Sequence, residues 1–200
     1  MFFCVHFYKW IYTKLQIIGR IVLFGDSGVG KTSIIQKYIQ GSIDSETTST
    51  VGAIFHAFSI NSDGNLVTLQ VWDTAGQEKY KSLGPVYYRK ANAAIAIFDL
   101  THPSTLHSLE DWISTYREYA DNPYVVFVGN KADLRNQCTL TPEETNHFAE
   151  KYNSTCFWTS ALTGLGIDDV FCHLAAYIND LAQTRVRDES FQEQSSNPCC

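Results

Sequence analysis

The stretch IVLFGDSGVGKTSIIQ (21–36) joins an apolar run, a glycine-rich loop and a second segment with apolar residues at helical spacing. It completes LQIIGRIVLFG (15–25), a run that reads as a buried strand, and opens SGVGKTSIIQKYIQG (27–41), a helix predicted to stop near Gly41. GDSGVGKT (25–32) matches G-x-x-x-x-G-K-[ST] in the strand–loop–helix context that pattern needs to cradle phosphate. Gly25, Gly28 and Gly30 let the backbone wrap closely. The N–H groups of Asp26, Ser27, Gly28, Val29, Gly30, Lys31, Thr32 and Ser33 are then expected to face phosphate oxygens at the positive end of the helix. Lys31 adds a point charge for the β- and γ-phosphates, and the Thr32 hydroxyl is a candidate Mg²⁺ ligand. The pattern specifies a nucleoside triphosphate without saying which.

The rest of the chain alternates strands and helices. VGAIFHAFSI (51–60) and NLVTLQVWD (65–73) flank Asp63-Gly64, a hairpin turn signal. ANAAIAIFDL (91–100), NPYVVFVGN (122–130) and STCFWTS (154–160) are further strands. STLHSLEDWISTYREYA (104–120), TPEETNHFAEKYN (141–153) and GIDDVFCHLAAYINDLAQ (166–183) are helices. Thr141, Pro142 and Glu144 form a capping-box sequence at N-cap, N1 and N3. This order predicts an α/β domain with a mostly parallel six-stranded sheet, helices on both faces and ligands at the carboxyl ends of the strands.

Three more motifs fall on those strand ends. VWDTAGQE (71–78) places Asp73 like an acid that holds Mg²⁺ through water, brings the Gly76 N–H toward a γ-phosphate, and offers Gln77 to orient an attacking water. NKAD (130–133) supplies Asp133 as a bidentate acceptor for the N1–H and N2–H₂ edge of guanine, an edge adenine cannot match. Asn130 can contact the base and brace the phosphate loop, and the Lys131 stem can lie along the ring. In TSAL (159–162) the Ala161 N–H is a candidate donor to guanine O6, steadied by Ser160.

Composition narrows the remaining classes. The 200 residues are 44% hydrophobic and 18% charged, which fits one folded domain. A net charge of −6 without a basic block argues against nucleic acid as a partner. Cys4, Cys138, Cys156 and Cys172 are scattered without zinc spacing, a usage expected of a reducing, intracellular compartment, with Cys156 and Cys172 read as core residues. Residues 1–14 are aromatic-rich, interrupted by Lys9 and Lys14, and too short in their apolar runs to span a bilayer. They read as an atypical, disordered extension, with docking on the domain or on a membrane surface as the alternatives. Residues 15–182 form the domain. Residues 183–200 lack apolar period and read as a flexible tail ending in Cys199-Cys200.

The four motifs, in this order and spacing, resemble the small GTPases of the Ras superfamily over about residues 16–182. LQVWDTAGQEKY, YYRKA (87–91) and AIFDLT (96–101) are more similar to the Rab family; STVGAIF (49–55), with Ala53, and LGPVYYRKANAAIAIFDLT resemble its early-endosomal branch. The resemblance implies a P-loop small G domain binding GTP or GDP with Mg²⁺ and hydrolysing GTP slowly unless a GAP assists. It makes Lys31 and Gln77 the catalytic residues, and Thr32, Thr50 and (through water) Asp73 the metal ligands. The residues alone leave Thr47, Thr48, Ser49 and Thr50 equivalent; only the resemblance selects Thr50. It also implies an effector surface of Val51, Phe55, Trp72 and Tyr87, with filling of the core as the alternative for these apolar residues. An exchange factor, GDI and prenylation machinery are the further implied partners. Cys199 and Cys200 match a lipidated Cys-Cys terminus that would carry the protein between cytoplasm and the cytosolic face of endosomal or vesicle membranes. Departures from the family's pattern are Ile43 where an aromatic is frequent, Leu162 in place of a lysine, and Lys90. Rival readings are a Ras-superfamily GTPase of another branch, a pseudo-GTPase scaffold, and a P-loop kinase or ATPase.

Overall fold

The computed structural model describes residues 17–43, 50, 52–74 and 84–195, with side chains at 84–85 and 186–195 excepted. Its elements are β1 (Ile17–Phe24), α1 (Lys31–Gln40), β2 (Ala53–Ser62), β3 (Asn65–Thr74), α2 (Gly84–Tyr88), β4 (Ala93–Asp99), α3 (Pro103–His107), α4 (Leu109–Tyr119), β5 (Val125–Asn130), α5 (Pro142–Glu150), β6 (Cys156–Trp158) and α6 (Ile167–Ser195). The six strands lie in the order β2-β3-β1-β4-β5-β6. All neighbours are parallel except β2 and β3, which form the expected hairpin with Asp63 (φ 48) and Gly64 (φ 81) at its turn.

Strands β4 and β5 are buried along their whole length because helices cover them on both faces. On one side Ile21, Leu23, Ile95 and Val128 pack with Ile34 and Ile35 of α1 and Phe171, Leu174 and Ile178 of α6. On the other, Val22, Phe24, Phe98 and Phe127 pack with Trp112 and Tyr116 of α4 and Phe148 of α5. The capping box is formed: Thr141 N donates to Glu144 Oε2 at 2.8 Å, and Glu144 N to Thr141 Oγ1 at 3.2 Å. Such a cap stabilises a helix by about 1 kcal/mol.

Two boundaries and one burial differ from the expectations of the sequence. The single helix expected at 104–120 is two, divided at Ser108, whose hydroxyl donates to Thr105 O and to Asp26. The last helix, expected to end near 182 before a flexible tail, continues to Ser195. Gln, Arg and Glu in 183–195 are good helix formers, and no Gly or Pro interrupts before Pro198. Cys172 was read as core and is exposed, because the buried stripe of α6 runs through Val170, Phe171, Leu174, Ala175 and Ile178. Residues 1–16 and 196–200 lie outside the described residues.

Candidate nucleotide site

The phosphate loop turns at the carboxyl end of β1. At Gly25 (φ 138) a Cβ would collide with the Ile97 carbonyl, and at Gly30 (φ 97) with the Asn130 amide, so both positions exclude a side chain. Lys31 begins α1 and is buried. Its Nζ donates to Gly25 O at 2.9 Å and Asp26 O at 2.8 Å. Burial pushes the ammonium down to about 8, although the charges of Asp73 and Asp26 oppose this. A desolvated cation resting on neutral carbonyls is poised to pair with a polyanion.

Asp26 meets Lys31 through its backbone carbonyl. Its carboxylate turns away to accept from Ser108 Oγ at 2.6 Å and Trp112 Nε1 at 3.1 Å, anchoring the loop to the α3–α4 region. Thr32 Oγ1 donates to Asp73 Oδ2 at 2.6 Å and lies 2.9 Å from Thr50 Oγ1. Because the single Thr32 proton goes to Asp73, Thr50 is the donor in the second contact. Asp73 Oδ1 is buried with no hydrogen-bond partner, and burial raises the carboxyl's pKa despite the Thr32 bond and the Lys31 charge. Two hydroxyls and a carboxylate with an orphan oxygen fit a hard divalent cation. Among the described residues no group of three His, Cys, Asp or Glu is placed to hold a metal ion by itself.

At the base end, Asn130 is buried at the end of β5 and ties three loops together. Its Nδ2 donates to Val29 O at 2.8 Å, and its Oδ1 accepts from Ala161 N at 3.0 Å and Thr159 Oγ1 at 3.3 Å. The expected bracing of the phosphate loop is therefore present. The Ala161 N–H, expected to face the base, is instead engaged by Asn130. Ser160 Oγ donates to Asp133 Oδ1 at 2.5 Å and accepts from Thr163 N, fixing the direction of the candidate base-reading carboxylate. Lys131 takes a positive φ of 71 and its Nζ reaches Asp99 Oδ2 at 2.6 Å. Burial alone would raise the Asp99 pKa; the Lys131 and Thr101 bonds outweigh it and hold the carboxyl below its ordinary value.

Between the two ends lies a cleft of about 210 Å³ lined by Gly28, Gly30, Ser33, Asn130, Lys131 and Asp133, with Ile43, Leu134 and Leu162 on its apolar lip. Leu162 is 67% exposed. The sequence reading missed Asp99, Thr159, Ser108 and Trp112. The only signal for Asp99 was a carboxylate closing an apolar strand, and Thr159 was visible only as the residue before Ser160. Gly76, Gln77, Val51, Cys199 and Cys200 lie outside the described residues. Of the expected effector surface, Phe55 is half exposed and partly buried Trp72 stands between it and Tyr87, with ring centroids 5.0 and 5.2 Å away. No helix among the described residues is long and apolar enough to cross a membrane.

A site of this construction at the switch of a parallel sheet defines a P-loop nucleotide-binding protein. Residues 20–180 match the Ras family. The chain is 39% identical to Ras-related protein Rab-11A of Dictyostelium discoideum over 80% of its length and 75% of the relative's. It is 38% identical to Ras-related protein Rab11B of Nicotiana tabacum over 80% and 74%. With Ras-related protein RABA1f of Arabidopsis thaliana it shares 36% identity over 84% and 78%. The chain belongs to the Ras family and, within it, to the Rab GTPases. It is a small GTPase of vesicle trafficking, binding GTP and GDP and hydrolysing the former.

Proposed function

We propose that the cleft holds guanine nucleotide with its phosphates on residues 26–33 and its base against Asp133, and that loss of the γ-phosphate releases the segment around Thr50. The observation that carries this reading is the Asn130 strut, which couples the base loops to the phosphate loop through Val29. Backbone N–H groups and Lys31 stabilise charge on the transferring phosphoryl group. Mg²⁺, held by Thr32 and Thr50 and through water by Asp73, would neutralise charge on the β- and γ-oxygens. Gln77 orients the attacking water, and Gly76 contributes its N–H to the γ-phosphate. Ser160 and Ala161 keep Asp133 and Asn130 in place for the base, and the Lys131 stem covers its face.

The output is recruitment of effectors through Val51, Phe55, Trp72 and Tyr87, reset by a GAP and an exchange factor, with GDI handling the lipidated form. Two lipids on Cys199 and Cys200 attach the chain to endosomal or vesicle membranes. Residues 183–200 carry Arg185 and Arg187 against Asp188, Glu189 and Glu193, so no basic patch supplies the second membrane signal. With α6 reaching Ser195, only residues 196–198 separate the helix from the two cysteines. Nucleotide titration tests the site: GTP must bind more tightly with Mg²⁺, and Lys31→Ala and Asp133→Asn must each weaken it. Unchanged affinity in both variants overturns the assignment. For the anchor, replacing either terminal cysteine by serine should move the protein out of the membrane fraction while GTP binding persists.

A further inference from the structure

One half of one sheet face carries no helix among the described residues. Side chains alternate along β1, β2 and β3, and α1 and α6 cover the face that contains Ile17, Ile21, Val67 and Leu69, with Gly19 lying against Ile178. The opposite face is closed near Trp72, which packs with Phe55 and Tyr87. Toward the start of β1 it opens. There Ile18 is 50% exposed beside Thr68, and Leu66 is 41% exposed beside Asn61. Ile18 and Leu66 lie diagonally across β1 and β3, so their side chains form one small apolar patch on this face.

We propose that residues 2–15 of the same chain lie across this open face and pack aromatic side chains on Ile18 and Leu66. The segment runs into Gln16, which adjoins Ile17, so its end is already beside the patch. Fourteen extended residues reach about 45 Å, whereas the eight residues of β1 span about 26 Å, so the segment can fold back along the whole face. Its chemistry is complementary: Phe2, Phe3, Phe7, Tyr8, Trp10 and Tyr12 supply apolar area. The face itself is mixed rather than greasy. The Ser59 and Thr68 hydroxyls bond each other at 2.9 Å, and half-buried Gln70 and Arg20 follow in register. Such a surface suits an amphipathic segment better than the hydrocarbon of a bilayer. Arg20, whose guanidinium lies 5.7 Å from the Trp72 ring centroid, marks where the open face meets the aromatic surface.

Methyl NMR of the full chain tests this independently of nucleotide chemistry. The Ile18 δ1 methyl should show aromatic-ring contacts and a ring-current shift. Both should be lost in a chain beginning at Gln16 and in the full-length Phe7→Ser/Trp10→Ser variant, with the remaining amide spectrum unchanged as the control for folding. Neither should depend on protein concentration. An Ile18 resonance identical in the three proteins overturns the proposal. So do contacts that grow with concentration, which identify a second copy, or that arise only with phosphatidylcholine–phosphatidylserine vesicles, which identify a membrane.

Discussion

The two ends of the cleft are built on opposite terms. At the base end every key group is already partnered: Asn130 makes three bonds, Asp133 accepts from Ser160, and Asp99 is held by Lys131 and Thr101. At the phosphate end Lys31 is desolvated on two carbonyls and Asp73 keeps an orphan oxygen. One end is preorganised and gains specificity from fixed geometry. The other carries an electrostatic cost, which on the proposed assignment bound phosphate and Mg²⁺ would relieve.

Lys31→Met breaks that contrast most directly. Nucleotide affinity should fall by about 10³-fold or more, since a buried charge-assisted contact to phosphate is lost. Stability of the nucleotide-free protein should move the other way. The folded Lys31 titrates near 8 and the unfolded one near 10.5. The unfolded chain therefore binds the extra proton between those values, and stability rises with pH across that window. The cost of the charge is full below pH 8. Removing it should gain about 2–3 kcal/mol at neutral pH, and the rise above pH 8 should vanish in thermal unfolding. A variant no more stable than the parent would show that Gly25 and Asp26 already compensate Lys31.

Asn130→Ala attacks the preorganised end and should cost about 2–4 kcal/mol in denaturant unfolding, because Val29 O, Ala161 N and Thr159 Oγ1 lose a partner together. Equilibrium titration should also show GTP bound about 10²-fold more weakly, as both loop sets loosen. Asp73→Asn separates the metal from the phosphates: the affinity gained on adding Mg²⁺ should shrink by about tenfold or more, while binding without Mg²⁺ changes little. Ser160→Ala should have the smallest effect, about 1 kcal/mol in GTP affinity with Mg²⁺ dependence intact, read by the same titration. If it instead altered Mg²⁺ dependence, the two ends would not be separate.

Local pattern was sufficient wherever one segment contains its own reason. The phosphate loop, the Asp63-Gly64 turn and the Thr141–Glu144 cap each depend on residues a few positions apart, and each is formed. The stop of α6 was misread because loss of an apolar stripe removes packing but not helix propensity. Cys172 was misplaced because an apolar neighbourhood does not say which side of a helix a residue occupies. Asp26 shows the same limit at the site: its position in the loop was legible, but the turn of its carboxylate toward Ser108 and Trp112 was not.

By itself the sequence determined the six strands in order, the loops at their carboxyl ends and the phosphate-loop pattern, because these are written in short spacings, and its motifs carry the resemblance to a GTPase family. Tertiary structure alone decided the bonds that make those loops one site. Asn130 meets Val29 across 101 residues and Asp73 meets Thr32 across 41. It also decided that the Ala161 N–H serves Asn130 and that Ile18 and Leu66 share an open face. Such pairings depend on strand register and helix packing, which no local run of residues encodes.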